Sequence, residues 1–202
     1  MAASEDENRA FLTKHGRPGA IGLVGGTSSI DQGIRYVQKG LTTDKKPSHW
    51  SHVFVFQGLR VDGQVWVVES DLDVRKGFAR FGVQENRVDK YASAKLWPNL
   101  AVLDFNLTPQ QAQQILTLGL DFVSQGTRYA IGGVVKTYAA ILRKQFWENK
   151  QKESTFCSSF VRSMFHAAKC DLTPGIAIRH TTPEHISQTE LAHDRYELIR
   201  QP

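Results

Sequence analysis

The chain has 202 residues, a length that suits one compact domain with its own hydrophobic core. Hydrophobic residues make up 41% and charged residues 22% of it, and its apolar runs are too short to cross a membrane. The net charge of +5 favours anionic partners such as lipid headgroups or wall polymers. Nucleic acid is not an expected partner, because the sequence has no helix-turn-helix, zinc-finger or aromatic ribonucleoprotein signature.

Residues 1–16 are predicted to form a loose arm in front of a single domain over residues 17–202. The stretch Met1–Arg9 is polar and acidic, without the basic start and apolar core of a secretory signal. We therefore expect a protein that is cytoplasmic as synthesised, with any export following a signal-independent route. Cys157 and Cys170 lie too close in sequence to close a large loop, and both are expected to be reduced thiols.

The predicted domain begins with a strand followed by a helix. The short apolar run Ala20–Val24 indicates the strand, which ends where two glycines follow. Ser28 or Ser29 is then placed to cap a helix with apolar residues at helical spacing, and Gly40 lies just past its end.

Three further strands are predicted in the first half of the chain. The runs 51–56 and 64–69 flank Asp62-Gly63, a pair that is typical of a β-hairpin. Residues 100–107 form the next apolar run. Because no long crossover separates the hairpin strands, we expect an antiparallel sheet.

Helices dominate the second half. Thr108 caps a helix that Pro109 opens, Gln111 can complete a capping box, and Gly126 ends it. Another helix is predicted over 134–147.

A further helix is predicted to begin at Ser154 or Thr155, since apolar residues then recur at helical spacing as far as residue 168. A short helix after Thr182 and a strand over 196–199 close the chain. The predicted fold class is α+β, with helices packed on an antiparallel sheet.

Cys157 falls in the first turn of this predicted helix. Unpaired N–H groups and the positive end of the helix dipole there would favour a thiolate. The alternative is a small buried hydrophobic residue, the usual role of a free cysteine. Cys170 lies at the opposite end of the same helix, where the dipole disfavours an anion, so a packing role is predicted for it.

A cysteine nucleophile needs a base and a group that orients the base. His52 lies in an otherwise apolar strand, so it must face a cleft or bond an interior partner such as a backbone carbonyl. Glu69 closes the partner strand and is either the orienting carboxylate or a solvated strand end. A two-residue hairpin turn would pair Phe56 with Glu69, whereas a four-residue loop over 59–62 would set Glu69 opposite His52.

No metal or other cofactor is predicted. The histidines show no HExxH spacing and the cysteines form no CxxC pair. The glycine-rich stretch Gly22–Thr27 lacks the Gly-Lys-Ser/Thr ending of a phosphate loop. His180 and His185 are expected to be surface residues.

The order of three short motifs resembles a family. Ser51-His52-Val53, then Val68-Glu69-Ser70, then the 156–161 segment around Cys157 look like the circularly permuted, NlpC-like papain-fold thiol hydrolases. The YiiX-like group is the most similar, and the lecithin:retinol acyltransferase group is more distant. The resemblance implies a permuted papain-like fold with a curled antiparallel sheet, and a Cys157–His52–Glu69 triad.

The segment Gly126–Gly133 resembles the Gly-x-x-Tyr-x-x-Gly-Gly stretch of NlpC-like enzymes, in which the tyrosine lies by the oxyanion site. Tyr129 therefore inherits a role as an oxyanion donor, and Ser158 is a further candidate for contact with the oxyanion or substrate. The sequence departs from the family pattern at Ala130, where aspartate is common, and at Phe156, where tyrosine or aspartate is common.

The resemblance implies a cysteine-dependent hydrolase or acyltransferase that forms an acyl-enzyme on an ester or amide. A phospholipid acyl group is the favoured substrate, because the permuted branch includes lipid enzymes and the basic segment 143–152 carries Phe146 and Trp147. A peptidoglycan or other peptide amidase is the alternative. A non-catalytic binding module on the same fold is a further alternative.

Overall fold

The computed structural model describes residues 2–75, 78–125 and 147–201. Six strands form one curled antiparallel sheet in the order β4-β3-β2-β1-β5-β6. The strands are β1 Ile21–Gly25, β2 His52–Leu59, β3 Val65–Arg75, β4 Phe78–Arg87, β5 Asn99–Asp104 and β6 Asp194–Ile199. The helices are α1 Ala2–His15, α2 Ser29–Val37, α3 Pro109–Ser124, α4 Trp147–Ala167 and α5 Pro183–Ser187, with 3-10 turns at Gln38–Gly40, Val88–Tyr91 and Ile178–His180. The predicted α+β class is confirmed.

Alternate residues along the central strands face two separate hydrophobic layers. Val53, Val55 and Val68 pack with α3 and α4 on one face. Phe54 and Phe56 pack on the other face, with Leu12 of α1 and the 3-10 turn Val88–Tyr91. Because successive side chains of a strand point to opposite faces, α3 and α4 cover one face of the sheet and α1 covers the other.

Two predicted helix starts are confirmed in detail. The Ser28 hydroxyl accepts a hydrogen bond from the backbone N–H of Asp31, whose carboxylate completes a capping box. The Thr108 hydroxyl does the same with Gln111, and Pro109 occupies the first position of α3. These caps satisfy backbone N–H groups that have no partner within the helix. Because each cap involves residues only three apart in the chain, it can be predicted from the sequence.

The predicted start of α4 at Ser154 or Thr155 is wrong, because the helix begins at Trp147. Residues 148–153 are mainly Glu, Lys and Gln, which are strong helix formers and extend the helix backwards past the serine and threonine. Cys157 therefore lies in the interior of α4. Residues 134–146 of the helix predicted over 134–147 lie outside the described residues.

The predicted loose N-terminal arm is instead the helix α1, docked on the sheet. Leu12 is fully buried, and so is Asn8. The Asn8 amide donates to the backbone carbonyls of Tyr91 and Trp97, at 3.0 Å each. Its oxygen accepts from the Arg200 guanidinium at 2.8 Å. Among residues 7–15 of α1 only Asn8 and Leu12 are buried, and this part of the helix shows no broad apolar stripe.

Among residues 2–75, 78–125 and 147–201, none of the helices has the length and apolar character required to cross a membrane.

Docking of α1 can be tested at its one fully buried leucine. Leu12→Ala should lower the free energy of unfolding by about 2–5 kcal/mol, the usual cost of truncating a buried leucine. Lys14→Ala, at an exposed position of the same helix, should change it by no more than about 0.5 kcal/mol. Chemical denaturation measures both. Equal stability of both variants and the wild type would mean that the helix is not docked.

Candidate active site

His52 and Glu69, which the sequence nominated as base and orienting carboxylate, lie in direct contact. The Nε2 atom of His52 is 2.6 Å from an Oε2 oxygen of Glu69. His52 is 8% exposed and Glu69 is fully buried. The interior partner of His52 is therefore a carboxylate rather than a backbone carbonyl, and Glu69 is not a solvated strand end.

Neither predicted hairpin register is correct. The strands join through a three-residue turn, in which Arg60 N–H bonds the Gln64 carbonyl, and a bulge between Phe56 and Gly58 then shifts the pairing by one residue. Val55 pairs with Val68 beyond the bulge. Continued along β3, this register sets Glu69 diagonally across from His52 on the same face, which is within reach of long side chains.

Gly58 fixes the bulge. Its φ is +91°, a backbone conformation that residues with a Cβ rarely adopt. A Cβ there would also approach the Pro18 ring to 2.8 Å. The register at His52 therefore depends on this glycine.

Both oxygens of Glu69 are saturated by hydrogen bonds from residues that sequence inspection missed. Asn86 Nδ2 and Lys90 Nζ donate to Oε1 at 2.6 and 2.7 Å. The hydroxyl of Tyr91 donates to Oε2, the oxygen that also contacts His52. Burial would raise the pKa of Glu69, but the charge of Lys90 and the contact with His52 lower it far below its ordinary value. Glu69 is thus a fixed anion.

Lys90 also binds a second carboxylate. Its Nζ lies 2.5 Å from Oδ2 of Asp71, which is two residues beyond Glu69 on β3. Burial would lower the pKa of Lys90, but the charges of Glu69 and Asp71 raise it above its ordinary value. The ammonium therefore bridges two carboxylates as a permanent cation.

Cys157 comes from the opposite layer. It is 4% exposed, belongs to the core between α4 and the sheet, and its sulfur lies 3.8 Å from the hydroxyl of the fully buried Ser158. Burial lowers the pKa of His52. The Asp71 carboxylate, Cys157 and a hydrogen bond with the Cys157 side chain raise that pKa by more, with a further contribution from Glu69. The protonated form of His52 is therefore favoured at its position between the Glu69 carboxylate and the Cys157 side chain.

Cys157 does not lie in the first turn of its helix, where the sequence placed it beside unpaired N–H groups. Since α4 begins at Trp147, the N–H groups next to Cys157 are engaged in bonds of the helix interior. The second expected donor, Tyr129, lies outside the described residues. Cys170 follows α4, is half-buried and packs against the helix-side core, as predicted.

Residues of α2 and of the 3-10 turn that follows it hold the chain that leads into His52. The Ser51 hydroxyl contacts Oδ1 of Asp31 at 2.7 Å and accepts from the N–H of Gly26 at 3.0 Å. Gln38 donates to the carbonyl of Trp50 at 2.8 Å. These hydrogen bonds fix the two residues that directly precede His52, the first residue of β2.

One buried polar group beside the site stays unsatisfied among the described residues. Gln84 lies directly opposite Glu69 in the β3–β4 register and is 1% exposed. Neither its amide nitrogen nor its oxygen has a hydrogen-bond partner there. An unsatisfied buried polar group lowers the stability of the fold by about 1–3 kcal/mol. Gln84 adds such a group to the interior next to Glu69.

Comparison with known proteins shows the fold. No protein-family model matches the chain, and a search of curated proteins finds no match. Among solved structures, the chain is similar to metalloprotein yiiX from Escherichia coli O157:H7, with a TM-score of 0.56 and 11% identity over 93% of this chain and 98% of that one. The chain thus has a yiiX-like α+β fold, while its relation to permuted papain-like proteins remains a prediction.

The raised pKa of His52 predicts a pH-dependent contribution to stability. Because the folded-state pKa lies above the unfolded value of 6.5, the stabilising effect is fully present below about pH 6.5 and is lost as pH rises through the folded pKa. The difference in unfolding free energy between wild type and His52→Gln should therefore be largest at about pH 6 and shrink as the pH rises above the unfolded-state pKa. Denaturant titrations at several pH values measure it.

Glu69→Gln is the matched control, because it removes one of the interactions that raise the pKa of His52. In that background the decline should move to lower pH. A difference that stays constant across the range would contradict an imidazolium at this position.

Proposed function

We propose that the protein is a cysteine-dependent hydrolase or acyltransferase that uses a Cys157–His52–Glu69 triad. The observation that carries the proposal is the position of His52 between a fully buried, saturated carboxylate and a thiol. Activated thiol nucleophiles require a base next to the cysteine and a third group that orients the base. An imidazolium beside a cysteine favours its thiolate form.

In the proposed mechanism the two ring nitrogens of His52 have different tasks. Nε2 of His52 faces Glu69, so Nδ1 is the nitrogen left to exchange protons with Cys157 and the substrate. In the proposed reaction the thiolate attacks the acyl carbonyl, and the leaving group departs with the proton of Nδ1. Neutral Nδ1 then takes a proton from water or another acceptor, which attacks the thioester and restores the thiolate.

The oxyanion of the proposed reaction needs hydrogen-bond donors. The helix interior around Cys157 offers no free backbone donors, so the candidates are side chains. Tyr129 keeps the role that the family resemblance gives it. Ser158, whose hydroxyl lies 3.8 Å from the sulfur, is the described candidate.

A phospholipid acyl group is the proposed substrate, and a peptidoglycan or other peptide amide is the alternative. The support is the net charge of +5 and the permuted motif order. The basic segment 143–152 would meet anionic headgroups through Arg143 and Lys144, next to apolar Phe146 and Trp147.

Metal binding is a second candidate function, because the similar yiiX structure is called a metalloprotein. His52, Glu69 and Asp71 offer ligand atoms within 4.8 Å of one another. However, the ammonium of Lys90 already lies at 2.7 and 2.5 Å from the two carboxylates that would bind the ion. This set of residues does not fit a metal, so no step of the proposed reaction passes through one.

The nucleophile is tested by alkylation. Brief iodoacetamide treatment near neutral pH should label Cys157 at least about tenfold faster than Cys170, because the adjacent imidazolium favours the thiolate. Exposure alone predicts the reverse order, since Cys157 is buried and Cys170 half-buried. Peptide mass spectrometry measures both rates. His52→Ala should slow labelling of Cys157 only, and faster labelling at Cys170 would refute the assignment.

The substrate is tested with phospholipid vesicles and muropeptides in parallel. Wild type should release fatty acyl chains from phospholipid, and Cys157→Ala should release none. Glu69→Gln should lower kcat by about 10²–10⁴-fold with a smaller change in KM, because it disturbs the orientation of the base rather than substrate binding.

The outcomes separate the alternatives. Cys157-dependent cleavage of muropeptides without lipid hydrolysis would replace the lipid proposal by the amidase. Binding of either substrate without Cys157-dependent turnover would favour the non-catalytic module. Circular dichroism of each variant serves as the control for folding.

A further inference from the structure

We infer that Lys90 takes the place that a divalent cation would otherwise fill in the His52–Glu69–Asp71 cluster. The cluster has the composition of a metal site, one imidazole and two carboxylates. The positive charge in this cluster is instead supplied by the ammonium group of Lys90.

The geometry of the ammonium is that of a bridging ion. Nζ lies 2.7 Å from Oε1 of Glu69 and 2.5 Å from Oδ2 of Asp71. The Lys90 side chain is 13% exposed, so its charge is largely withdrawn from water. A metal ion that engaged both carboxylates would have to displace it.

The backbone that carries Lys90 is held by contacts of its two neighbouring residues. It belongs to the 3-10 turn Val88–Tyr91. The preceding Asp89 pairs with Arg9 of α1 at 2.7 Å, and the carbonyl of the following Tyr91 accepts from Asn8 of the same helix. Helix α1 thus fixes the turn that carries the cation.

Removal of the ammonium should leave two buried carboxylates beside one imidazole, with excess negative charge. Burial makes such charge costly unless a cation neutralises it. Imidazole and carboxylate ligands suit Zn²⁺ and Mn²⁺. We therefore expect that loss of Lys90 converts the cluster into a divalent-cation site that the wild-type protein lacks.

The test measures Zn²⁺ and Mn²⁺ binding by isothermal titration calorimetry in a Cys157→Ala background, which removes the thiol as a competing ligand. In that background Lys90→Ala should bind one equivalent of metal at least about a hundredfold more tightly than the protein that retains Lys90. Lys90→Arg keeps a cation and should gain no site. Lys90→Ala combined with Asp71→Asn should lose the gained site.

Two results would overturn the inference: a site in the Lys90-containing protein that Asp71→Asn abolishes, or no gain of binding in Lys90→Ala. If Lys90→Ala unfolds without metal, its thermal midpoint is measured with and without Zn²⁺. Rescue that requires Asp71 supports the inference, and absence of rescue overturns it. Because the experiment lacks the Cys157 thiol and measures no turnover, its outcome is independent of the proposed hydrolase activity.

Discussion

The structure around the candidate site depends on one buried anion, the carboxylate of Glu69. Transfer of such a charge into the interior costs several kcal/mol unless it is paired and hydrogen-bonded. Its partners come from three separate segments: His52 at the start of β2, Asn86 near the end of β4, and Lys90 with Tyr91 in the following turn. The need to satisfy Glu69 therefore ties these segments together, and the orientation of the imidazole follows from it.

The candidate nucleophile reaches this centre from the other side of the sheet. Glu69 and its donors lie on the face covered by α1, whereas Cys157 packs in the layer formed by α3 and α4. His52, the first residue of its strand, interacts with both Glu69 and Cys157. The proposed chemistry thus needs both hydrophobic layers to be in place.

Sequence inspection found the pair His52–Glu69 because each interrupts an apolar strand, and such an interruption requires a partner. It missed β4 and the donors of Glu69, since their roles arise only when β3 and β4 pair. It also missed α1, whose few buried positions give no periodic pattern. The start of α4 was misplaced because two residues suited to capping follow a stretch that already favours helix.

The bulge at Gly58 makes the strand pairing next to His52 independent of the length of the hairpin loop. Loop length normally sets the pairing of both strands. Here the pairing of the two strands shifts by one residue at the bulge next to Gly58, which packs against Pro18, and not in the turn itself. The bulge therefore sets the pairing next to His52. The solvent-exposed tip around Val61 is thereby free to diverge, whereas the sequence at the bulge is constrained. Evolutionary variation in this hairpin should therefore concentrate at its tip.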